Sequence, residues 1–478
     1  MLFVELRFLL FFVLVFAVHW ALRNSTARKT WLLLCSYVFY AAWDWRFLGL
    51  IVASTLLDYG VGLGLARARR RRVRIALLLA SLSGNLGILG FFKYWNFFAQ
   101  SGGVLLSWLG IPYHPWLLSS LVLPVGISFY TFQTLSYSID VFREKLEPTR
   151  SLLDLALFVG FFPQLVAGPI VRAAAFLPQL ATTPLFARVE FRRWLLLFLV
   201  GFVKKACVSD NLAPIADQYF AQPGAFTALA AWTAILFFSI QIYCDFSGYS
   251  DMAIACAGLL GYRLCDNFDS PYLASNITAF WRRWHMSLSS WLRDYLYIPL
   301  GGSHGSLLAT YRNIMITMLL GGLWHGARWN FVIWGALHGL ALIAHKEWIR
   351  LRPHPLTSRS AWASAAGTLS TFWWVCLAWI FFRTAGASPA PFTEDLQKAW
   401  VVFKAFVLLD APGSADLSGS LWWVLPLAVV HILAHRRHGI HTIERMPDWA
   451  FAGAYGLVFS FVLAFVSTEY QPFIYFQF

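Results

Sequence analysis

The sequence predicts an all-α, polytopic integral membrane protein, and three observations carry that prediction. Charged residues make up 13% of the 478, where soluble domains carry roughly 25%. Hydrophobic residues make up 59%, gathered into about eleven to fourteen apolar segments of a length suited to membrane helices, some of them broken or re-entrant. No ten-residue alternation of apolar and polar residues occurs, which argues against an outer-membrane barrel.

The segments follow in order. Residues 6–22 read as a retained first helix, because no small-residue cleavage site follows them. A basic loop with Arg23, Arg28 and Lys29 leads to a tight pair, 31–43 and 47–65, turning at Asp44-Trp45-Arg46. The densest positive run, Arg67 to Arg74, is placed on the cytoplasmic side by the excess of basic residues in such loops. The loop at 23–29 then falls on that side too, and the N-terminus on the periplasmic or extracellular one. Segment 75–92 ends in an interfacial belt, Lys93-Tyr94-Trp95. Segment 117–136 is expected to kink at Pro124-Val125-Gly126. Segment 151–165 stops at Ala167-Gly168-Pro169, and 194–208 carries Lys204 and Lys205. Residues 228–243 run into Cys244-Asp245-Phe246-Ser247-Gly248-Tyr249-Ser250-Asp251, read as a Gly/Ser break, and 252–262 is too short to cross alone.

The block 267–302 is neither a clean span nor a clean loop, and reads as broken or re-entrant helices. Segments 314–323 and 331–349 flank His325, and 350–370 is a Pro- and Ser-rich loop. Segments 372–382, 421–433 and 450–466 complete the chain, with His435-Arg436-Arg437-His438 between the last two on the cytoplasmic side. No internal repeat appears, which argues against an inverted-repeat transporter. The whole chain, 1–478, reads as one domain with its densest motifs in 228–340.

Lys plus Arg is 37 against 23 Asp plus Glu. The basic residues punctuate apolar helices and cover no soluble face, so nucleic acid is not a partner; headgroups of membrane lipids are. The six cysteines form no Cys-x-x-Cys pair, which leaves neither a disulfide scaffold nor a zinc site. His431, His435, His438 and His441 have helical spacing but no acidic partner, so no metal is expected. A Walker loop is missing.

Two histidines, His285 and His325, have apolar sequence on both sides. An ionisable side chain at membrane depth is costly and marks a functional site. An imidazole within reach of a hydroxyl takes its proton as it attacks a carbonyl. From the residues alone His325 is either that base or a satisfied core histidine, and Gly326 beside it leaves room for a ligand. His338, thirteen residues on, faces the same cavity or the core. Asp245 and Asp251 either satisfy freed backbone donors or pair with an arginine. Trp281, Trp284 and Trp291 read as an interfacial belt or a tunnel lining.

Trp281-Arg282-Arg283-Trp284-His285, Trp291-Leu292-Arg293-Asp294-Tyr295, Pro299-Leu300-Gly301-Gly302 and Leu323-Trp324-His325-Gly326 resemble the signature of the membrane-bound O-acyltransferase (MBOAT) family. Leu123 to Tyr130, Val166 to Ile170, Gly201 to Lys205, Asp245 to Met252 and Phe473 to Phe478 are similar to its alginate O-acetyltransferase branch. The resemblance implies helices around a central tunnel in the bacterial inner membrane. Through it an acetyl group passes from cytosolic acetyl-CoA, a substrate and no bound cofactor, to an exported polysaccharide, with a periplasmic acetyltransferase or carrier protein as partner. His325 matches the family's invariant histidine, the catalytic base, and His285 its second. Arg282 and Arg283 are candidates for phosphates of coenzyme A or of lipid headgroups. Lys204 and Lys205 are either further phosphate contacts or a cytoplasmic anchor. Trp324 and Asp245 complete the candidate substrate-binding set. One departure stands out: Ala279 occupies a position where the family usually has a glutamate. Acyl transfer to peptidoglycan or teichoic acid is the rival within the class, and a flippase for lipid-linked sugars the rival outside it.

Overall fold

The computed structural model describes residues 2–118, 122–352, 360–386, 392–435, 446–467 and 471–474. Among them helices dominate, and the one β-bridge is isolated, between Phe226 and Ala415. Four stretches are long and apolar enough to cross a membrane by length and composition: Ser25–Arg67, Arg71–Trp108, Ala228–Leu259 and Ala361–Thr384. The other expected segments form shorter or broken helices, so the all-α, polytopic membrane architecture holds. The described residues cluster into two compact units, 1–198 with 252–265, and 199–251 with 266–478.

The first unit begins with α1 (Leu6–Ala21), α2 (Ser25–Asp44) and α3 (Leu48–Arg67). The Asn24 side chain accepts from Ala27 N–H and starts α2. Asp44 accepts from Arg46 N–H and pairs with its guanidinium, which makes the expected turn. In α1, Phe8, Val15 and His19 are buried while Leu6, Leu10, Val13 and Leu14 are exposed. That outward leucine and valine stripe suits lipid contact and no aqueous surface. α4 (Arg71–Leu89) passes through a π-helical turn, Gly90–Tyr94, into α5 (Trp95–Trp108). Lys93, expected in an interfacial belt, donates to Ser128 Oγ at 3.2 Å.

α6 (Ile127–Phe142) corrects the expected kink at Pro124-Val125-Gly126. Gly126 has φ +74° and its carbonyl accepts from Phe129 and Tyr130, so this triplet starts a helix. A Cβ at Gly126 would press on the Leu165 carbonyl, which restricts this left-handed start to glycine. Buried Asp58 on α3 accepts from Ser81 on α4, from Asn85 Nδ2 at 2.9 Å and from Ser138 on α6 at 2.7 Å. A carboxylate at this depth is tolerated because neighbouring helices supply its donors. α7 (Leu152–Gly160), α8 (Phe162–Leu165) and α9 (Ala173–Leu180) follow, then α10 (Phe191–Phe202).

The second unit holds a π-helical turn, Val203–Ser209, then α11 (Asp210–Ala221) and most of α12 (Ala228–Leu259). The break expected at 244–251 does not form: α12 runs unbroken through it. Gly248 sits where a Cβ would meet the Gly201 carbonyl, so it serves close packing and leaves the helix intact. The expectation of broken helices over 267–302 holds. α13 (Ile277–Trp281) and α14 (Met286–Leu292) are short, joined by a turn, and a π-helical turn, Arg293–Tyr297, follows. α15 (Leu307–His325) and α16 (Trp329–Arg350) form a hairpin. A Cβ at Gly322 would collide with the Phe331 carbonyl, and one at Gly335 with the Met318 carbonyl. α17 (Ala361–Thr384), α18 (Phe392–Phe403), α19 (Val424–His435) and α20 (Asp448–Leu463) complete the unit.

Candidate functional site

His325 is the last residue of α15, where the hairpin turns, and is 4% exposed. Its ring centroid lies 5.0 Å from Trp324, 5.0 Å from Trp334 and 5.3 Å from Phe382. His285 is fully buried, and its ring lies 5.8 Å from the same Trp324. The two sequence-predicted histidines therefore both pack against one indole, inside an aromatic enclosure. Such walls exclude water and strengthen any dipole that faces the reacting atoms. Gly326 is a correction: a Cβ there would strike the Phe331 ring, so its missing side chain admits Phe331 and leaves no space for a ligand.

His285 caps α14 with φ +43° and ψ 54°, a left-handed conformation unusual outside glycine. Asn267 holds it there. The Asn267 carbonyl accepts from Met286 N–H at 2.9 Å. Asn267 Nδ2 donates to Ser250 Oγ at 3.1 Å, which leaves Oδ1 as the acceptor facing the site. That oxygen takes Ser287 Oγ–H at 2.8 Å and lies 3.1 Å from His285 Nδ1. The network assigns the proton to Nδ1 and the lone pair to Nε2. Nε2 has no hydrogen-bond partner among the described residues. The sequence reading missed Asn267 and Ser287. Their signal was weak: a lone amide and a hydroxyl 18 residues before and two after His285.

His338 on α16 is fully buried, 4.7 Å from Trp334 and 5.0 Å from Trp281 between ring centroids. It thus shares Trp334 with His325. Trp284 and Trp291 are buried too, and Trp284 packs on Phe280 and Trp379 at 5.7 and 5.2 Å. They line the interior and form no exposed belt. Arg282 is exposed and Arg283 half-buried, and neither guanidinium pairs with a carboxylate among the described residues. Ala279 donates its N–H to Asn276 Oδ1 and so belongs to the α13 cap.

Lys204 and Lys205 are engaged internally. Lys204 pairs with Asp251 at 2.7 Å and lies 5.7 Å from the Tyr243 ring. Lys205 is 2% exposed and sits between Asp245 at 2.6 Å and Asp210 at 2.7 Å. Asp245 and Asp251 therefore pair with lysines, where an arginine was expected, and Asp245 also accepts a backbone N–H, that of Ile474. His431 packs 5.2 Å from Tyr243, while His438 and His441 lie outside the described residues. No metal-binding cluster of His, Cys, Asp or Glu occurs among the described residues.

Residues 141–386 match the membrane-bound O-acyltransferase family. Over 453 residues the chain is 42% identical to "Probable alginate O-acetylase AlgI" of Azotobacter vinelandii, covering 94% of this chain and 86% of that one. It is 41% identical over 404 residues to the Pseudomonas aeruginosa protein of the same name, with 83% and 73% covered. A Helicobacter pylori protein named "Peptidoglycan O-acetyltransferase" is 36% identical over 425 residues, with 83% and 77% covered. Sequence, architecture and the paired buried histidines agree, and the chain is a multi-pass member of the membrane-bound O-acyltransferase family, an enzyme of acyl transfer.

Proposed function

We propose that this chain transfers acetyl groups from acetyl-CoA to an exported polysaccharide of the alginate type, across the bacterial inner membrane. The observation that carries the reading is the placement of His325 and His285 about one shared indole in a buried aromatic enclosure. The identity to proteins named alginate O-acetylases supports the acceptor.

In this reading the His325 imidazole takes the acceptor hydroxyl's proton as its oxygen attacks the thioester carbonyl. The tetrahedral oxyanion collapses, the carbon–sulfur bond breaks, and the departing thiolate recovers the proton from the imidazolium. His285 assists through Nε2, and Trp324 packs against both rings and holds them in place. A tunnel open to the cytoplasm brings the thioester in, and Arg282 and Arg283 meet its phosphates with two parallel N–H bonds each. The N-terminus is periplasmic, because the run from Arg67 to Arg74 stays cytoplasmic. A periplasmic protein receives the acetyl group or presents the polymer.

Purified protein in detergent, given labelled acetyl-CoA and oligosaccharide acceptors, tests this reading. Acetyl transfer to oligouronate, lost in His325→Ala, is the expected result. Transfer to peptidoglycan fragments in its place assigns the rival acceptor. Sugar transport with no thioester cleavage overturns the enzyme reading of this site.

A further inference from the structure

Two motifs remain outside this chemistry: Gly201 to Lys205 and the run beginning at Phe473. The structure brings them together at Asp245. Ile474 N–H donates to Asp245 Oδ2 at 2.8 Å. The other carboxylate oxygen lies 2.6 Å from Lys205 Nζ, which also reaches Asp210 Oδ1 at 2.7 Å and the Gln471 carbonyl at 3.4 Å. One buried lysine thus holds α11, α12 and residues 471–474. The residue after Asp245 is Phe246. Its ring lies 5.9 Å from Phe473 and 4.6 Å from His285, at 89° to the imidazole. Phe473 is fully buried and also packs 5.0 Å from Tyr249.

We propose that Phe473 is a positioning residue for His285, acting through Phe246. The Asn267 bond fixes one point of the imidazole, Nδ1, and leaves the ring able to swing about that point, because histidine χ2 wells are broad. The perpendicular Phe246 ring removes that freedom. Phe246 keeps its own rotamer because Phe473 closes the space behind it, and the ion-paired lysine keeps Phe473 seated. The inference rests on the reading of His285 as part of the reacting site.

The test uses the full chain in detergent, with turnover of labelled acetyl-CoA as readout. Phe473→Leu is expected to lower kcat about tenfold, the size of effect a small misplacement produces. The KM for acetyl-CoA stays within twofold, and the melting temperature falls by only the few degrees that trimming one buried ring brings. On a Phe246→Leu background, or Phe246→Met should the first lack measurable turnover, Phe473→Leu causes no further loss, because the path through the ring is already cut. Equal fractional losses on both backgrounds, or wild-type kcat in Phe473→Leu while His285→Ala is impaired, overturn the proposal alone. Full activity in His285→Ala overturns the reading of His285 and this proposal with it.

Discussion

Asn267 Oδ1 and His285 Nδ1 lie 3.1 Å apart, and that contact decides which imidazole nitrogen faces the enclosure. Asn267→Leu removes the acceptor and frees the tautomer. We expect kcat to fall about tenfold, the equivalent of one hydrogen bond of ~1.4 kcal/mol. Ser250→Ala, which removes only the group that orients the amide, should have a smaller effect. Steady-state kinetics on both variants check the order.

Lys205 is the buried counter-charge of two carboxylates. Lys205→Met leaves both uncompensated in a dry interior, where breaking such a pair costs about 3–5 kcal/mol. The expected outcome is a large drop in detergent melting temperature. Adding Asp245→Asn and Asp210→Asn to Lys205→Met removes the stranded charges and should recover part of the loss.

The hairpin of α15 and α16 depends on bare backbone at Gly322 and Gly335. Gly335→Leu forces the helices apart, and overpacking of this kind costs about 1–3 kcal/mol. Because His325 ends α15, kcat should fall along with the melting temperature. Gly87→Ala, on a helix where a Cβ meets nothing within 4 Å, is the control that leaves both unchanged.

Arg282→Ala and Arg283→Ala should each raise the KM for acetyl-CoA several-fold with little change in kcat, the signature of lost ground-state binding. The effect should shrink at high salt, as screening predicts. A donor thioester lacking the nucleotide phosphates should show no difference between variant and parent.

Much of this site is legible from residue type alone. The aromatic–basic runs around His285 and His325 announce costly groups in apolar surroundings, and the structure gathers them about Trp324. What stays hidden depends on neighbours distant in sequence. Ser247, Gly248 and Ser250 read locally as a break, yet α12 passes through them because another segment's backbone lies against Gly248. Pro124 and Gly126 read as a kink, since the Leu165 carbonyl that shapes that start lies 39 positions away (165 − 126). The partners of Asp245 and Asp251 come from a lysine pair 40 and 47 positions earlier (245 − 205 and 251 − 204), a pairing no periodicity encodes. Asn267 gains its role only when the turn before α14 brings it under the imidazole.

The interlocked glycines of α15 and α16 also bear on how rigidly the site is framed. Two helices touching carbonyl to carbon have no slack for sliding, so that pair holds the end of α15, and His325 with it, in one register. His285 has no long helix behind it: α13 and α14 are one or two turns long, and their junction at His285 is left-handed. One histidine of the site is thus set by interlocked backbones, and the other by a polar network that must hold a strained residue in place.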